Sequence, residues 1–221
     1  ADDTPETAWS GDGWATAAFD LGGRGDDFAQ AVAVDRQGRV VVAGSASDGV
    51  DDLFAVARFT AAGLLDNGWS GDGRQTIDVE LGGGGLQFGG MAVDRFGRVV
   101  LVGLASPGSG YRLVVVRLTA AGVLDSTFGG GDGIADFAYA ATDDIKEVVD
   151  VVTLTPPSDR IAILGDYDPA GADTSDGFLF VLTPAGEFDT TFNHTGKRSF
   201  SPTTGDPWNH ANALAVQAGR L

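Results

Sequence analysis

The sequence predicts an all-β protein: a β-propeller built from four-stranded sheets of about 60 residues each. Three observations carry that prediction. A repeat runs through almost the whole chain, each copy contains four strand-like apolar runs, and the central runs are apolar on both faces. A twisted β-solenoid is the runner-up architecture.

The repeat is set by aromatic markers. Trp9, Trp69, Phe128 and Phe192 stand at equivalent places, spaced by 60, 59 and 64 residues. "SGDG" at Ser10 recurs at Ser70, and "GGDG" stands at Gly130. "DRQGRVVVAG" from Asp35 matches "DRFGRVVLVG" from Asp94, and "FAVARFTAAGLLD" from Phe54 matches "LVVVRLTAAGVLD" from Leu113. The copies are framed as residues 9–68, 69–127 and 128–191, with a partial copy at 192–221.

Within the first copy, strands are expected near Trp14–Leu21, Phe28–Asp35, Arg39–Ser47 and Leu53–Thr60. Val, Ala and Phe fill these runs, and Gly, Asp and Ser bound them. "RQG", "RFG" and "TAAG" read as tight connections. "RVVVAG" and "RVVLVG" carry apolar residues on both strand faces, as a strand between two covered surfaces does. Small Ala and Gly among them would let a neighbouring sheet approach. In the third copy, Ile145, Val148, Val149 and Val152 have helical spacing, but alignment with the second strand of the first copy predicts a strand there. "LLDNGWSGDG", Leu64 to Gly73, is expected to join one copy to the next, with its aromatic plugged between sheets.

The last copy stops at Leu221, as its third strand begins. Ring closure is therefore expected from a longer natural chain or from a homodimer.

Composition excludes several function classes. Lys+Arg 14 against Asp+Glu 31 gives a net charge of -17, which repels phosphate backbones and argues against a nucleic-acid partner. There is no Cys, so thiol, disulfide and iron–sulfur chemistry are ruled out. No apolar run approaches 18 residues, so no helical membrane span is expected. The opening "ADDTPETAW" resembles a mature chain after leader cleavage at a small residue.

Taken together, "AVAVDRQGRVVVAG" followed by "ARFTAAGLLD" resembles the bacterial delta-60 repeat family, and the likeness spans almost the whole chain. That resemblance implies tandem propeller-like repeats on secreted, periplasmic or cell-surface bacterial proteins. It carries no catalytic residues. The third copy departs from the pattern, with Val181 where the others have Arg58 and Arg117, and "TPPSD" for "DRQG".

Candidate sites follow from residue type. Asp12, Asp72 and Asp132 recur in "GDG", and Asp66, Asp125 and Asp189 recur after an apolar residue; clustered carboxylates suit calcium, while Asp–Gly pairs equally suit turns. The spacing does not match an EF-hand loop, and Asn193, His194 and Thr195 replace Ser70, Gly71 and Asp72 in the last copy. Arg39, Arg98, Arg160 and Arg220 begin the third strand of each copy. They read either as a cationic ring or as partners of Asp35 and Asp94, whose places Thr155 and Gln217 take in the other copies. His194 and His210 lack a G-x-S-x-G elbow or a metal-binding spacing. Trp208 and His210 in "DPWNH" are the ligand-binding candidates; Trp208 would stack on a sugar face or pack against the neighbouring blade. "LGGGG" at Leu81 reads as a connection.

These features predict a binding or scaffolding module for an extracellular glycan or protein. The alternative is a propeller-type hydrolase or lyase with a metal or paired carboxylates in a central channel.

Overall fold

The computed structural model describes residues 7–22, 26–79, 85–106, 111–138, 144–154, 158–169, 175–201 and 213–214. Twelve strands and no helix are found among them. They form three antiparallel sheets of four strands, each in simple meander order. Sheet one holds β1 (Asp27–Val34), β2 (Val40–Ser47), β3 (Asp52–Phe59) and β4 (Arg74–Ile77). Sheet two holds β5 (Leu86–Val93), β6 (Val99–Ala105), β7 (Arg112–Leu118) and β8 (Ile134–Phe137). Sheet three holds β9 (Asp144–Thr153), β10 (Ile161–Asp168), β11 (Asp176–Leu182) and β12 (Lys197–Phe200).

The sheets stack face to face, and two apolar layers form between them. Val41, Phe54, Val56, Trp69 and Ile77 of sheet one meet Leu86, Leu101, Val114 and Val116 of sheet two. Val100, Val102, Leu113 and Val115 on the opposite face of sheet two meet Ile145, Val148, Ile163 and Phe180 of sheet three. Sheet two is thus covered on both sides. This explains why β6 and β7 show no apolar–polar alternation: β6 is buried at every position.

The strand grouping differs from the repeat frame. Residues 14–21 form no strand, and the equivalent runs at 74–77 and 134–137 pair with β3 and β7. Each sheet therefore takes its fourth strand from the start of the following copy. The segment Leu64–Gly73 links β3 to β4 inside one sheet; it does not carry the chain to a new sheet. Its aromatic does reach the neighbour, as expected.

The apolar run with helical spacing is a strand, β9. Pairing with β10 skips Lys146 and Val149, so Ile145, Val148 and Val151 share the inward face. Two bulges stretch the strand period from two to three and so imitate a helix.

One bulge recurs in the first strand of each sheet, at Gln30, Gly89 and Val149. Opposite it stands a glycine of the middle strand: Gly44, Gly103 or Gly165. A Cβ there would lie 1.8, 2.6 or 2.3 Å from the carbonyl oxygen of Phe28, Gln87 or Glu147. The glycine of "VVVAG" and "VVLVG" is thus required mainly by the bulged strand of its own sheet. At Gly103, Phe54 of the adjacent sheet also lies 2.9 Å from that Cβ position, the close approach expected from small residues.

Candidate binding groove and the turns that hold the sheets

The recurring turn is built from Asp side chains. Asp12, Asp72 and Asp132 accept the N–H two residues on, from Trp14, Arg74 and Ile134 at 3.0, 2.9 and 2.9 Å. In the last copy the Thr195 hydroxyl accepts the Lys197 N–H at 3.2 Å in the same way. Asn193 and His194 adopt φ of 49° and 62°, as Ser70 and Gly71 do at 54° and 97°. Among the described residues, no three His, Asp or Glu side chains gather as a metal site.

The second Asp series has a different task. Asp66 accepts from Arg58 at 2.8 Å, and Asp125 from Arg117 at 2.8 Å. Each arginine then crosses to the next sheet. Arg58 Nη1 donates to the Ala120 carbonyl at 2.9 Å, and Arg117 Nη1 donates to the Pro184 carbonyl. The guanidinium carbons stand 5.4 Å from the Trp69 ring and 4.6 Å from the Phe128 ring. Burial pushes Asp125 up, but Thr127 and Arg117 together outweigh it and hold the carboxyl below its ordinary value. Burial in turn lowers Arg117.

The aromatic completes this joint. Trp69 and Phe128 are fully buried. The Trp69 ring lies 2.5 Å from where a Cβ on Gly122 would stand, and Gly122 has φ of 87°. Beside it Ser70 N–H donates to the Ala121 carbonyl at 2.8 Å, and Gly129 N–H repeats the bond to Ala185 at 3.0 Å.

Arg39 and Arg98 pair with Asp35 and Asp94 at 2.7 and 2.5 Å. In sheet three the position that pairs as Asp35 and Asp94 do belongs to Leu154, not Thr155: Leu154 N–H donates to the Arg160 carbonyl as Asp35 N–H does to Arg39. Leu154 is buried and apolar, so Arg160 reaches Asp189 instead, at 3.0 Å. It supplies the cation that Val181 lacks. Sheets two and three are also clasped by Arg95, which donates to both oxygens of Asp159 at 2.6 and 2.7 Å.

The bulges line a groove. Gln30, Gly89 and Val149, with Glu147, Asp150 and Met91, surround a cavity of about 420 Å³ where β1, β5 and β9 converge. A smaller space of about 210 Å³ adjoins it at Gln87 and Lys146. Gln30, Gln87 and Glu147 are exposed. Gln87 donates to the Tyr111 hydroxyl at 3.0 Å, and Asp150 accepts the Leu214 N–H at 2.9 Å. Lys146 is held by Asp144 at 2.6 Å and Asp168 at 3.2 Å; the Asp144 hydrogen bond is the main reason its amine is raised. Amides, carboxylates and bulged backbone in one groove suit hydrogen bonding to an extended polar ligand.

Trp208, His210 and Arg220 lie outside the described residues, as does most of "LGGGG". His194 sits in the β11–β12 turn. Sequence reasoning missed Gln30, Glu147 and Asp150; the usable signal was the extra residue in "FAQAV" and "FGGM", which breaks the strand alternation.

A family model described as "Domain of unknown function (DUF5122) beta-propeller" matches residues 97–128, which cover β6, β7 and the joint through Phe128. That match and the three stacked sheets support a β-propeller-like repeat. No curated protein matches the chain.

Proposed function

We propose that this chain is a binding module of the β-propeller type, that it belongs with the delta-60 repeats, and that it works in a secreted, periplasmic or cell-surface setting. Its ligand is an extended polar polymer, a glycan or a peptide, lying in the groove where β1, β5 and β9 converge. The supporting observation is that the three bulges line one cavity, which brings Gln30 of sheet one together with Glu147 and Asp150 of sheet three. Rigid stacked sheets hold these groups in place. The charged side chains of the larger cavity, Glu147 and Asp150, are acidic, and Lys146 in the adjoining space is paired with Asp144 and Asp168, which fits neutral or cationic polymers and disfavours nucleic acid.

The test is a glycan, peptide and whole-cell binding screen on the chain, followed by Gln30→Ala and Glu147→Gln on any ligand found. A ligand whose affinity falls by about tenfold or more in either variant supports the groove. A ligand unaffected by both variants, or no ligand in the screen, overturns it.

A further inference from the structure

We infer that the outer face of sheet one is a docking site for three antiparallel strands of the same repeat, and that residues 14–19 are the fourth strand of that additional sheet. The inference rests on the propeller-type stacking of the proposed function and not on its groove.

The first observation is the placement of residues 9–13. Trp9 lies on Gly63 of sheet one, 2.7 Å from where a Cβ would stand, as Trp69 lies on Gly122 and Phe128 on Gly186. Ser10 N–H donates to the Ala62 carbonyl at 2.7 Å, the bond that Ser70 makes to Ala121 and Gly129 to Ala185. Residues 9–13 therefore dock on sheet one as the loop of a preceding sheet does on its neighbour.

The second observation concerns the residues just beyond that loop. Residues 14–19 correspond to β4 and β8, yet they form no ladder with any described strand. Their burial still alternates as a strand's does. Ala15, Ala17 and Phe19 turn toward sheet one, while Thr16 and Ala18 are exposed and Trp14 is 70% exposed. Between them and Val42, Gly44, Ala55, Ala57 and Phe59 lies a cavity of about 280 Å³. Between sheets one and two, the corresponding space holds side chains of the preceding sheet's own middle strands, such as Val41, Phe54 and Val56.

The third observation is on β1. Val32 and Val34 are 68% and 66% exposed. Register places them where Met91 and Val93 stand on β5, and those two are packed against sheet one. The apolar side chains that β1 leaves in water are thus the ones a preceding sheet covers. At both described interfaces the Arg58 and Arg117 guanidiniums seek the second residue of the neighbour's turn, Ala120 or Pro184. The equivalent acceptor on this face is the Ala61 carbonyl.

The occupant must lack a fourth strand of its own, because residues 14–19 take that place. Sheets one, two and three each carry one, so a second copy of this chain offers no such sheet among its described residues. The fit is to three strands that run into residues 9–13 along the same polypeptide.

The experiment grafts those strands. Residues 26–68 are placed directly ahead of Trp9 in place of residues 1–8, and amide hydrogen exchange is compared with that of the parent chain. Exchange at residues 15–19 is expected to slow by about tenfold or more, with protection appearing across the added strands. Changing the added copy's arginine, the counterpart of Arg58, to Met is expected to remove part of that gain. Unchanged exchange at 15–19 overturns the inference, whether the added strands stay unfolded or fold apart from sheet one. Protection of 15–19 in the parent that rises with concentration, together with a dimeric mass, also overturns it by assigning the face to a second copy. Protection of β5–β7 in the parent reports the stacking itself, so failure of that premise is read separately.

Discussion

Replacing Arg117 by Met tests the joint between sheets two and three. The side chains of Arg117 and Asp125 are 2% and 8% exposed. Methionine fills much of the arginine's volume but removes the cation beside Asp125, the donor to the Pro184 carbonyl and the bond to Thr127 at 2.9 Å. Asp125 keeps the Thr127 N–H and hydroxyl, at 3.0 and 2.7 Å, which softens the loss. Breaking a buried pair on one side costs about 3–5 kcal/mol, and the retained Thr127 bonds place this variant near the lower end, about 3 kcal/mol. Arg39→Met offers the contrast. Its side chain is 25% exposed, and Asp35 keeps backbone donors from Gln37 and Arg39, so the expected cost is below about 1 kcal/mol. Sheet three shows how the loss can be compensated: it has Val181 and Leu154, and its arginine turns to the loop Asp. Adding Asp94→Leu to Arg117→Met should free Arg98 to do the same and recover about 1 kcal/mol or more. Urea unfolding followed by far-UV circular dichroism measures all three. An Arg117→Met cost no larger than that of Arg39→Met would refute the buried-joint reasoning.

Acid is expected to loosen the same joints. The carboxyls of Asp35, Asp125 and Asp189 are held below the ordinary value of 3.8, so their contribution is fully present above that value and fades as pH falls through the lower folded-state values. Thermal melting between about pH 5 and pH 2.5 should show the midpoint falling steeply below about pH 4, and Asp125→Asn should reduce that slope. Gly122→Ala should cost about 2 kcal/mol or more, since it adds a Cβ at positive φ against the buried Trp69 ring. The near-UV signal of Trp69 is the readout, and an unchanged signal with unchanged stability would count against the stacked contact.

The strands β1–β3, and their counterparts β5–β7 and β9–β11, were legible because apolar runs and turn residues act locally. Their grouping into sheets was not. A period fixes the distance between copies but says nothing about where a sheet begins, and the partner of residues 74–77 is decided by which strand lies free beside them. The shift from Thr155 to Leu154 has a similar origin. The bond spans Leu154 to Arg160 in the third copy against Asp35 to Arg39 in the first, and only the backbone pairing reveals the shift. Arg160 and Asp189 were both visible as repeated residues, yet their contact depends on the loss of two other charges at once. The groove was hardest to see, since a bulge residue such as Gln30 or Val149 differs from its neighbours only in having no opposite partner.

Because every sheet borrows its last strand from the next copy, removal of residues 69–127 would join Gly68 to Phe128 and bring β8 to the edge of β3. Sheet one would be whole, Arg58 would face the Pro184 carbonyl, and no strand would be left ragged. The seam of such a deletion falls in a turn whose geometry recurs in every copy. Unequal recombination can therefore lengthen or shorten the array by whole sheets, and the interfaces that hold it together are re-formed at once by the residues already present.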